Sequence, residues 1–221
     1  TATTEIYTLS LHDALPIFGV VGTGLVTPTV GVHLYPYQSA VPVTATEIAP
    51  WGFAGWSGDA TGVDFSTEVT MDGDKVVTAT FGANVCFATF DNGATVYGAP
   101  NAGAVQRAVD AAPLGATVKV AGTCAGVHQP YPSSRPCAVL LQREVTVQGG
   151  YTTTNWLVSH PLTQPTVFDG QGAGRVFVVE MDPVTLVDLT VQNGYAEGDD
   201  GGGIRAYQQL TLTHVTVISN A

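Results

Sequence analysis

From Ala116 to Ala221, short β-rich runs alternate with turns that contain Gly, Asn or Asp, and no helix long enough for a βαβ crossover separates them. Two of these runs, VDLTVQNG and LTHVTVISN, share a pattern, because each alternates apolar residues and ends in a turn with Asn. Self-similar strand–turn units without helices indicate a β-solenoid, in which successive rungs stack their inward side chains. We therefore expect residues 116–221 to form a coil of parallel strands in which Asn turns the chain between sheets.

A single convincing helix precedes this region, in the sequence NAGAVQRAVDAA. Asn101 is its predicted N-cap and Pro113 its predicted end. Five apolar residues fall on one helical face: Ala104, Val105, Ala108, Val109 and Ala112. Such a helix just before parallel strands can cover the open end of the stack. We assign residues 82–115 to a linker and this cap helix.

The charge balance excludes two classes of partner. Lys and Arg total 7 against 18 Asp and Glu, a net charge of −11, which argues against nucleic acid and against an anionic membrane surface. No apolar run approaches the roughly 20 residues that span a bilayer, so we expect no membrane insertion. Abundant β-branched residues with frequent Gly and Asn turns predict an all-β protein.

Residues 1–17 show neither helical nor strand periodicity. They resemble the conceptual translation of a short-read sequencing adapter, which they match without a mismatch. The resemblance implies that these residues form no domain and contribute almost nothing to a core. It also implies that they stand in place of the natural N-terminus, together with any signal peptide that the natural N-terminus carried. Without Glu5 and Asp13, 16 acids stand against 7 bases, a net charge of −9, so the acidic balance holds.

The pattern of residues 18–81 predicts short strands that are separated by turns such as Asp72-Gly73. The segments GTG, VTP, FAGWSGD, VTM and VTATF resemble the divergent internalin B-repeat family of bacterial surface proteins, although Trp51-Gly52 inverts the usual Gly-Trp order. The resemblance implies a small β-grasp-like spacer module. We interpret Trp51 and Trp56 as core and turn-packing residues rather than sugar-stacking ones, because a module this small has few large groups to bury.

Three cysteines, Cys86, Cys124 and Cys137, form no CxxC pair and have no His at ligand spacing, which argues against a zinc site. In a Lys-poor, Gly-rich chain of extracellular type, one disulfide with one spare thiol is favoured, and three buried reduced cysteines are the alternative.

Residues 86–221 also resemble a family, the right-handed parallel β-helix proteins of the pectate-lyase-like superfamily, and are closest to large bacterial surface proteins. The motifs are AVQRAVDAAPLGATVKVAGTCAGV, VTVQGGYTTTNW, PTVFDGQGAGRVF and GGGIRAYQQLTLTHVTVISNA. The resemblance implies a Cys86–Cys124 disulfide rather than a Cys124–Cys137 one, and Cys137 has no counterpart. The predicted architecture is a β-grasp-like module followed by a right-handed parallel β-helix with an N-terminal cap helix, truncated after Ala221.

Members of that superfamily that cleave acidic glycans use carboxylates that hold calcium beside a basic residue, or clustered aspartates. Neither pattern is evident, and we predict no catalytic residue, cofactor or metal. The carboxylates look isolated or set in solvated turns: Asp169, Asp182, Asp188, Asp199 and Asp200. The remaining candidates look like surface charges or unpartnered rings: Arg175, Arg205, His33, His128, His160 and His214.

Two functions fit these observations. The favoured one is a fragment of a secreted or cell-surface bacterial protein with a structural, adhesion or ligand-display role. Its partner would be an extracellular ligand, either a carbohydrate or a surface partner. The alternative is a truncated polysaccharide lyase or glycoside hydrolase whose active rungs are missing. Fold alone does not decide between them, since one scaffold hosts both roles.

Overall fold

A computed structural model of the chain describes residues 13–129, 135–181, 183–198 and 201–221. Over these residues the protein is mostly β with one helix, and its strands form two groups. The first group lies within residues 13–83 and the second within residues 86–218. Each group surrounds a buried apolar core of its own.

The first group has a four-stranded sheet, a three-stranded sheet and a short two-stranded pairing around one core. Its strands are β1 (Asp13–Ala14), β2 (Ile17–Val21), β3 (Gly24–Thr27), β4 (Gly31–Val32), β5 (Tyr35–Pro36), β6 (Ala40–Glu47), β7 (Trp51–Gly58), β8 (Ser66–Thr70) and β9 (Val76–Ala83). The sheet orders are β4-β2-β9-β7 and β3-β6-β8, and β1 pairs with β5. No helix lies in the described part of this group, so the likeness to a β-grasp stays a prediction.

Aromatic rings fill the centre of the first group. Phe53 is fully buried, and its ring centroid lies 5.2 Å from that of Trp56 and 5.5 Å from that of Phe81. The indole N–H of Trp56 donates to the carbonyl of Asp64 (2.9 Å), so the predicted core role of Trp56 is confirmed. Trp51 is not a core residue, because it is 37% exposed at the start of β7, where its N–H donates to the carbonyl of Ile48 in the preceding turn (3.0 Å).

The expectation that residues 1–17 contribute almost nothing to a core is wrong for residues 13–17. Ala14 is only 1% exposed and packs in the first core, while Ile17 pairs in register with Val32 and Val76. Strand pairing uses backbone N–H and C=O groups that every residue carries, and a methyl group fits many edge positions. The likeness of this segment to a translated adapter therefore does not prevent residues 13–17 from pairing with the sheets.

The second group contains the helix and ten strands. They are β10 (Cys86–Thr89), β11 (Tyr97–Ala99), α1 (Gly103–Ala111), β12 (Ala116–Ala125), β13 (Cys137–Leu141), β14 (Val145–Gln148), β15 (Val167–Asp169), β16 (Arg175–Val179), β17 (Val184–Gln192), β18 (Ile204–Ala206) and β19 (Leu210–Ile218). The first two strands pair antiparallel with each other, and β10 pairs antiparallel with β12. All remaining pairings between the named strands of this group are parallel.

The parallel strands form three ladders, which we call side A, side B and side C. Side A comprises residues 116–119, 145–148, 184–187 and 210–213. Side B comprises residues 123–125, 167–169, 189–192 and 215–218. Side C comprises residues 137–141, 175–179 and 204–206. The chain passes through sides A, B and C in this order three times and then through A and B again, so each pass is one rung.

Inward side chains stack from rung to rung, as the sequence predicts. On side A, Val118, Val147 and Leu186 are fully buried and lie in register above one another. On side B, Cys124 and Phe168 lie in register with Val191, again fully buried.

The corners between sides use residues that tolerate the left-handed backbone region. Asn193 turns the chain after side B with φ 52°, which confirms the predicted role of Asn. At the corner between sides A and B, Asp188 and His214 adopt φ 56° and φ 51°.

The predicted buried face of α1 is confirmed, but the helix begins later than predicted. Ala102, not Asn101, is the N-cap, although Asn101 Oδ1 still accepts a hydrogen bond from the Gly103 N–H (3.0 Å). Two polar residues of the helix, Gln106 and Arg107, are also buried. The helix is therefore covered on more sides than an end cap requires.

Helix α1 packs between the two groups, a contact region that we call the junction. On one side, Gln106 exchanges hydrogen bonds with the backbone of Leu140 on β13 (2.7 and 3.1 Å). On the other, Arg107 donates to the carbonyl of Val63 in the first group (3.1 Å) and also to the carbonyl of Gly98 on β11 of the second group (2.8 Å). The side-chain amide of Asn101 donates to the carbonyl of Ala54 (2.7 Å). These bonds tie the helix to both cores at once.

A disulfide joins Cys86 on β10 to Cys124 on β12, so the expected pairing is confirmed. Cys137 is a free, buried thiol at the start of β13. The bond links the antiparallel entry strands to the first rung of the coil. No helix among the described residues has the length and apolar character needed to cross a membrane.

Candidate functional site: a groove at the Asp188–His214 corner

A groove of about 470 Å³ runs along side B beside the corner that it shares with side A. Thr190 and Thr216, which are register partners on neighbouring rungs, line the groove, as do the corner residues Asp188 and His214. The opposite wall is apolar and comes from the segment 161–165, including the almost fully exposed Leu162. The groove thus combines hydroxyls, one acid–imidazole pair and an apolar wall.

The wall is held by buried hydrogen bonds rather than by packing alone. The Thr166 hydroxyl accepts from the Gly150 N–H (2.9 Å) and donates to the carbonyl of Val120 (3.1 Å). The Ser159 hydroxyl donates to the carbonyl of Gly149 (2.9 Å). Both ends of the loop that carries the wall are therefore hydrogen-bonded to the coil.

Asp188 and His214 meet at equivalent corners of successive rungs. Their neighbours pair in register, Val187 with Thr213 and Leu189 with Val215, so the two corner side chains lie one above the other. His214 Nδ1 donates to Asp188 Oδ1 at 3.1 Å. The His214 side chain is 82% exposed, whereas the carboxylate is mostly covered. The carboxylate therefore orients an imidazole that solvent and ligands can reach.

Among the described residues that line the groove, the polar side chains are threonines and one carboxylate–imidazole pair. Most glycoside hydrolases place two carboxyl groups across the scissile bond, but Asp188 is the one carboxylate among the described residues that line the groove. The hydroxyl groups of those residues belong to threonines, including Thr190 and Thr216. Among the described residues, no three or more His, Cys, Asp or Glu are grouped so that they could hold a metal ion.

Asp169 lies at another corner and is bound by amides. Its carboxylate accepts hydrogen bonds from Gln192 Nε2 (2.8 Å), the Gln171 N–H (2.8 Å) and Asn193 Nδ2 (3.0 Å). Partial burial acts to raise the pKa of Asp169, but these bonds outweigh it, so the pKa lies below its usual value. Gln192 and Asn193 belong to the next rung, so the carboxylate of Asp169 is hydrogen-bonded across two rungs. Three other candidates, Asp182, Asp199 and Asp200, lie outside the described residues.

The arginine predictions have different outcomes. Arg175 was expected at the surface but is buried, because it begins β16 in register with the buried Cys137. Arg205 is partly exposed, with its guanidinium carbon 4.8 Å from the centre of the Tyr207 ring.

The four candidate histidines occupy unrelated places. His33 donates to the carbonyl of Thr29 (2.6 Å) in the first group, and His160 belongs to the loop that carries the groove wall. His128 pairs through its backbone with Cys137, and burial, followed by the charge of Arg107, lowers the pKa of His128 to about 4.

The expectation that His214 has no Asp partner is wrong. A signal for the pair exists in the sequence, because aligning VDLTVQNG with LTHVTVISN as successive rungs puts Asp188 and His214 at the same position of the shared pattern.

Comparison with known proteins identifies part of the first group. A family model described as the divergent InlB B-repeat domain matches residues 21–85, which include strands β3 to β9 and the aromatic core around Phe53. No curated protein and no solved structure matches the chain. Domains of this family are typical of bacterial surface proteins. Residues 21–85 are a divergent InlB B-repeat domain.

Proposed function

We propose that the chain is part of an extracellular, cell-surface protein with a structural, adhesion or ligand-display role. The observation that carries this proposal is the B-repeat domain at residues 21–85, since such domains are typical of bacterial surface proteins. The Cys86–Cys124 disulfide supports it, because disulfides persist in oxidising compartments outside the cytosol.

The second group is, in this proposal, a right-handed parallel β-helix of the pectate-lyase-like kind. Three parallel ladders visited in a constant order, with apolar residues stacked inside, support this reading. The proposed division assigns residues 82–115 to a linker and cap helix and residues 116–221 to the β-helix. The preceding module then extends from residue 18 to 81, with β1 and β2 extending it back to Asp13.

The junction supports a display role, because a display scaffold must hold its ligand surface at a defined position. Arg107 bonds the helix to Val63 of the B-repeat domain, and Gln106 bonds the same helix to Leu140 of the coil. Both side chains are buried, so water competes poorly for these bonds. The two parts should therefore move as one body.

A neutral saccharide is the ligand that the groove favours. Sugars present hydroxyls together with apolar C–H faces, and the groove offers Thr190, Thr216 and the Asp188–His214 pair opposite an apolar wall. Acidic glycans suit it less, since the chain carries a net charge of −11 and the groove carboxylate would repel uronates.

The test is binding of the full chain to immobilised xylan, mannan and cellulose, compared with polygalacturonate and alginate, by affinity electrophoresis. We expect retardation by a neutral polysaccharide, and a loss of about tenfold or more in affinity for His214→Ala. Ser57→Ala, on the B-repeat domain, is the matched control and should bind like the parent. No binding to any neutral polysaccharide would refute the saccharide ligand. Release of reducing ends would favour the enzymatic alternative.

A further inference from the structure

A row of polar side chains crosses four rungs where side A meets side B. Lys119 and Gln148 are register partners on the first two rungs of side A. Asp188 directly follows Val187, which is the register partner of Gln148 on the third rung. His214 lies at the equivalent corner one rung later. Each of the four rungs therefore contributes one polar residue to this corner.

Gln148 bonds two different neighbours through the two polar atoms of its amide. Its Nε2 atom donates to Asp188 Oδ2 (3.3 Å), and its Oε1 atom accepts from the Tyr151 hydroxyl (3.0 Å). An ionised carboxylate only accepts hydrogen bonds, so a reversed amide would set two acceptor oxygens against each other. The carboxylate and the hydroxyl together determine which way the amide of Gln148 points.

Tyr151 is itself held in place by its surroundings. It is buried, and its ring stacks on that of Trp156 with 6.1 Å between the centroids. The Lys119 ammonium lies 5.1 Å from the centre of the Tyr151 ring and donates to the carbonyl of Trp156 (2.6 Å). Burial, followed by the charge of Asp188, raises the pKa of Tyr151, so its hydroxyl keeps a hydrogen to donate. The hydroxyl is therefore fixed against the amide of Gln148.

The other oxygen of the Asp188 carboxylate carries the effect to the imidazole. Gln148 occupies Oδ2, while Oδ1 lies 3.1 Å from His214 Nδ1. Because the carboxylate accepts, the single hydrogen of a neutral imidazole must lie on Nδ1, which leaves the lone pair on Nε2. A histidine side chain free in water prefers the opposite form, with the hydrogen on Nε2. The form that His214 takes is therefore imposed by its neighbours.

We propose that Gln148 is a positioning residue for the groove: it orients the Asp188 carboxylate so that His214 keeps its hydrogen on Nδ1 and offers Nε2 as a hydrogen-bond acceptor. The consequence for a ligand rests on the proposed function. A saccharide bound at His214 must supply a hydroxyl that donates to Nε2. An ether oxygen or a carboxylate has no hydrogen to donate and gains nothing at this atom.

The experiment is NMR of the isotope-labelled full chain at about pH 8, where an ordinary imidazole is neutral. Two-bond correlations between ring protons and ring nitrogens report which nitrogen carries the hydrogen, and the His214→Ala variant assigns the signals. We expect the Nδ1–H form in the parent chain. Gln148→Leu should shift the ratio of the two forms towards Nε2–H by about fivefold, which corresponds to the loss of one hydrogen bond.

Two further variants separate positioning from a loss of structure. Tyr151→Phe keeps the ring but removes the hydroxyl, and it should shift the ratio in the same direction by a smaller factor, because the amide keeps its bond to the carboxylate. Gln142→Leu is the matched control, since Gln142 Nε2 also donates to a carboxylate, that of Glu180 (2.8 Å), elsewhere in the coil. It should leave the signals of His214 unchanged. Circular dichroism checks that every variant keeps its β structure.

An Nε2–H imidazole in the parent chain overturns the proposal, and so does a ratio that Gln148→Leu leaves unchanged in a folded chain. An equal shift in Gln142→Leu also overturns it, because the effect would then come from a general loosening of the coil. Affinity electrophoresis on neutral polysaccharides tests the ligand separately, and Gln148→Leu should weaken binding by about fivefold. A parent chain in the Nδ1–H form that binds no polysaccharide supports the positioning role and refutes the saccharide ligand.

Discussion

The guanidinium carbon of Arg107 lies 4.8 Å from the centre of the Phe65 ring, so a cation on the helix contacts an aromatic ring of the B-repeat domain. Arg107 is only 6% exposed, and burial is the main cause that lowers its pKa. Opposing this, the negative charges of Glu47 and Asp64 raise the pKa. A buried cation held by two carbonyls and a ring fixes one domain against the other.

Replacing Arg107 by Met should therefore destabilise the junction. The change leaves the carbonyls of Val63 and Gly98 without their donor, and we expect a loss of about 2–4 kcal/mol in the free energy of unfolding. The matched control is Arg205→Met, because Arg205 lies at the same ring distance from the exposed Tyr207. It should cost less than about 1 kcal/mol. Urea unfolding measures both, and equal losses would contradict the role of the junction.

The Cys86–Cys124 bond should stabilise the entry to the coil. It closes a loop with a sequence separation of 38, which corresponds to about 3–4 kcal/mol in the chain-entropy model. Cys86→Ala combined with Cys124→Ala should lower the free energy of unfolding by this amount. Cys137→Ala keeps the bond and serves as the control. Peptide mapping without reduction should find Cys137 unpaired, and a Cys124–Cys137 peptide would contradict the assignment.

Acid should weaken the fold through His128. Its Nε2 atom is buried without a hydrogen-bond partner, and its pKa in the folded chain is about 4 instead of 6.5. The unfolded chain therefore binds the proton first, so the contribution of His128 to stability is complete above about pH 6.5. It falls by up to about 3 kcal/mol as the pH drops from 6.5 to 4.

His128→Gln should flatten this part of the stability–pH curve, whereas His160→Gln should not. The measurement is the free energy of urea unfolding at several pH values between 7 and 4. Parallel curves for the parent chain and His128→Gln would show that the imidazole is not held neutral.

Ala14 should be sensitive to a charged substitution even though it lies in the adapter-like segment. Ala14→Asp would bury a carboxylate in the core of the first group, and we expect a loss of about 2–4 kcal/mol. Ile17→Asp changes an exposed side chain in the same segment and should cost much less. Thermal unfolding of the two variants makes the comparison. Equal, small losses would restore the expectation that residues 1–17 lie outside both cores.

Local periodicity was enough to predict several elements of this protein. The face of α1 that contains Ala104 and Val105 is buried as predicted, and the stacks of alternating apolar residues lie inside the coil. These two predictions succeed because a helix repeats every 3.6 residues and a strand every two, so the sequence itself determines which side chains share a face. The FAGWSGD segment was recognised as part of a B-repeat module through its family resemblance instead.

Contacts between distant segments needed the tertiary structure. Ala116 pairs with Val145, Val145 with Val184, and Val184 with Leu210, at intervals that differ because loops of unequal length separate the rungs. Unequal intervals hide the register of most rungs, whereas the rungs that carry Asp188 and His214 share a visible pattern. The burial of Arg107 and Ala14 has the same origin: neither belongs to a local apolar pattern, and each is covered only when a remote part of the chain packs against it.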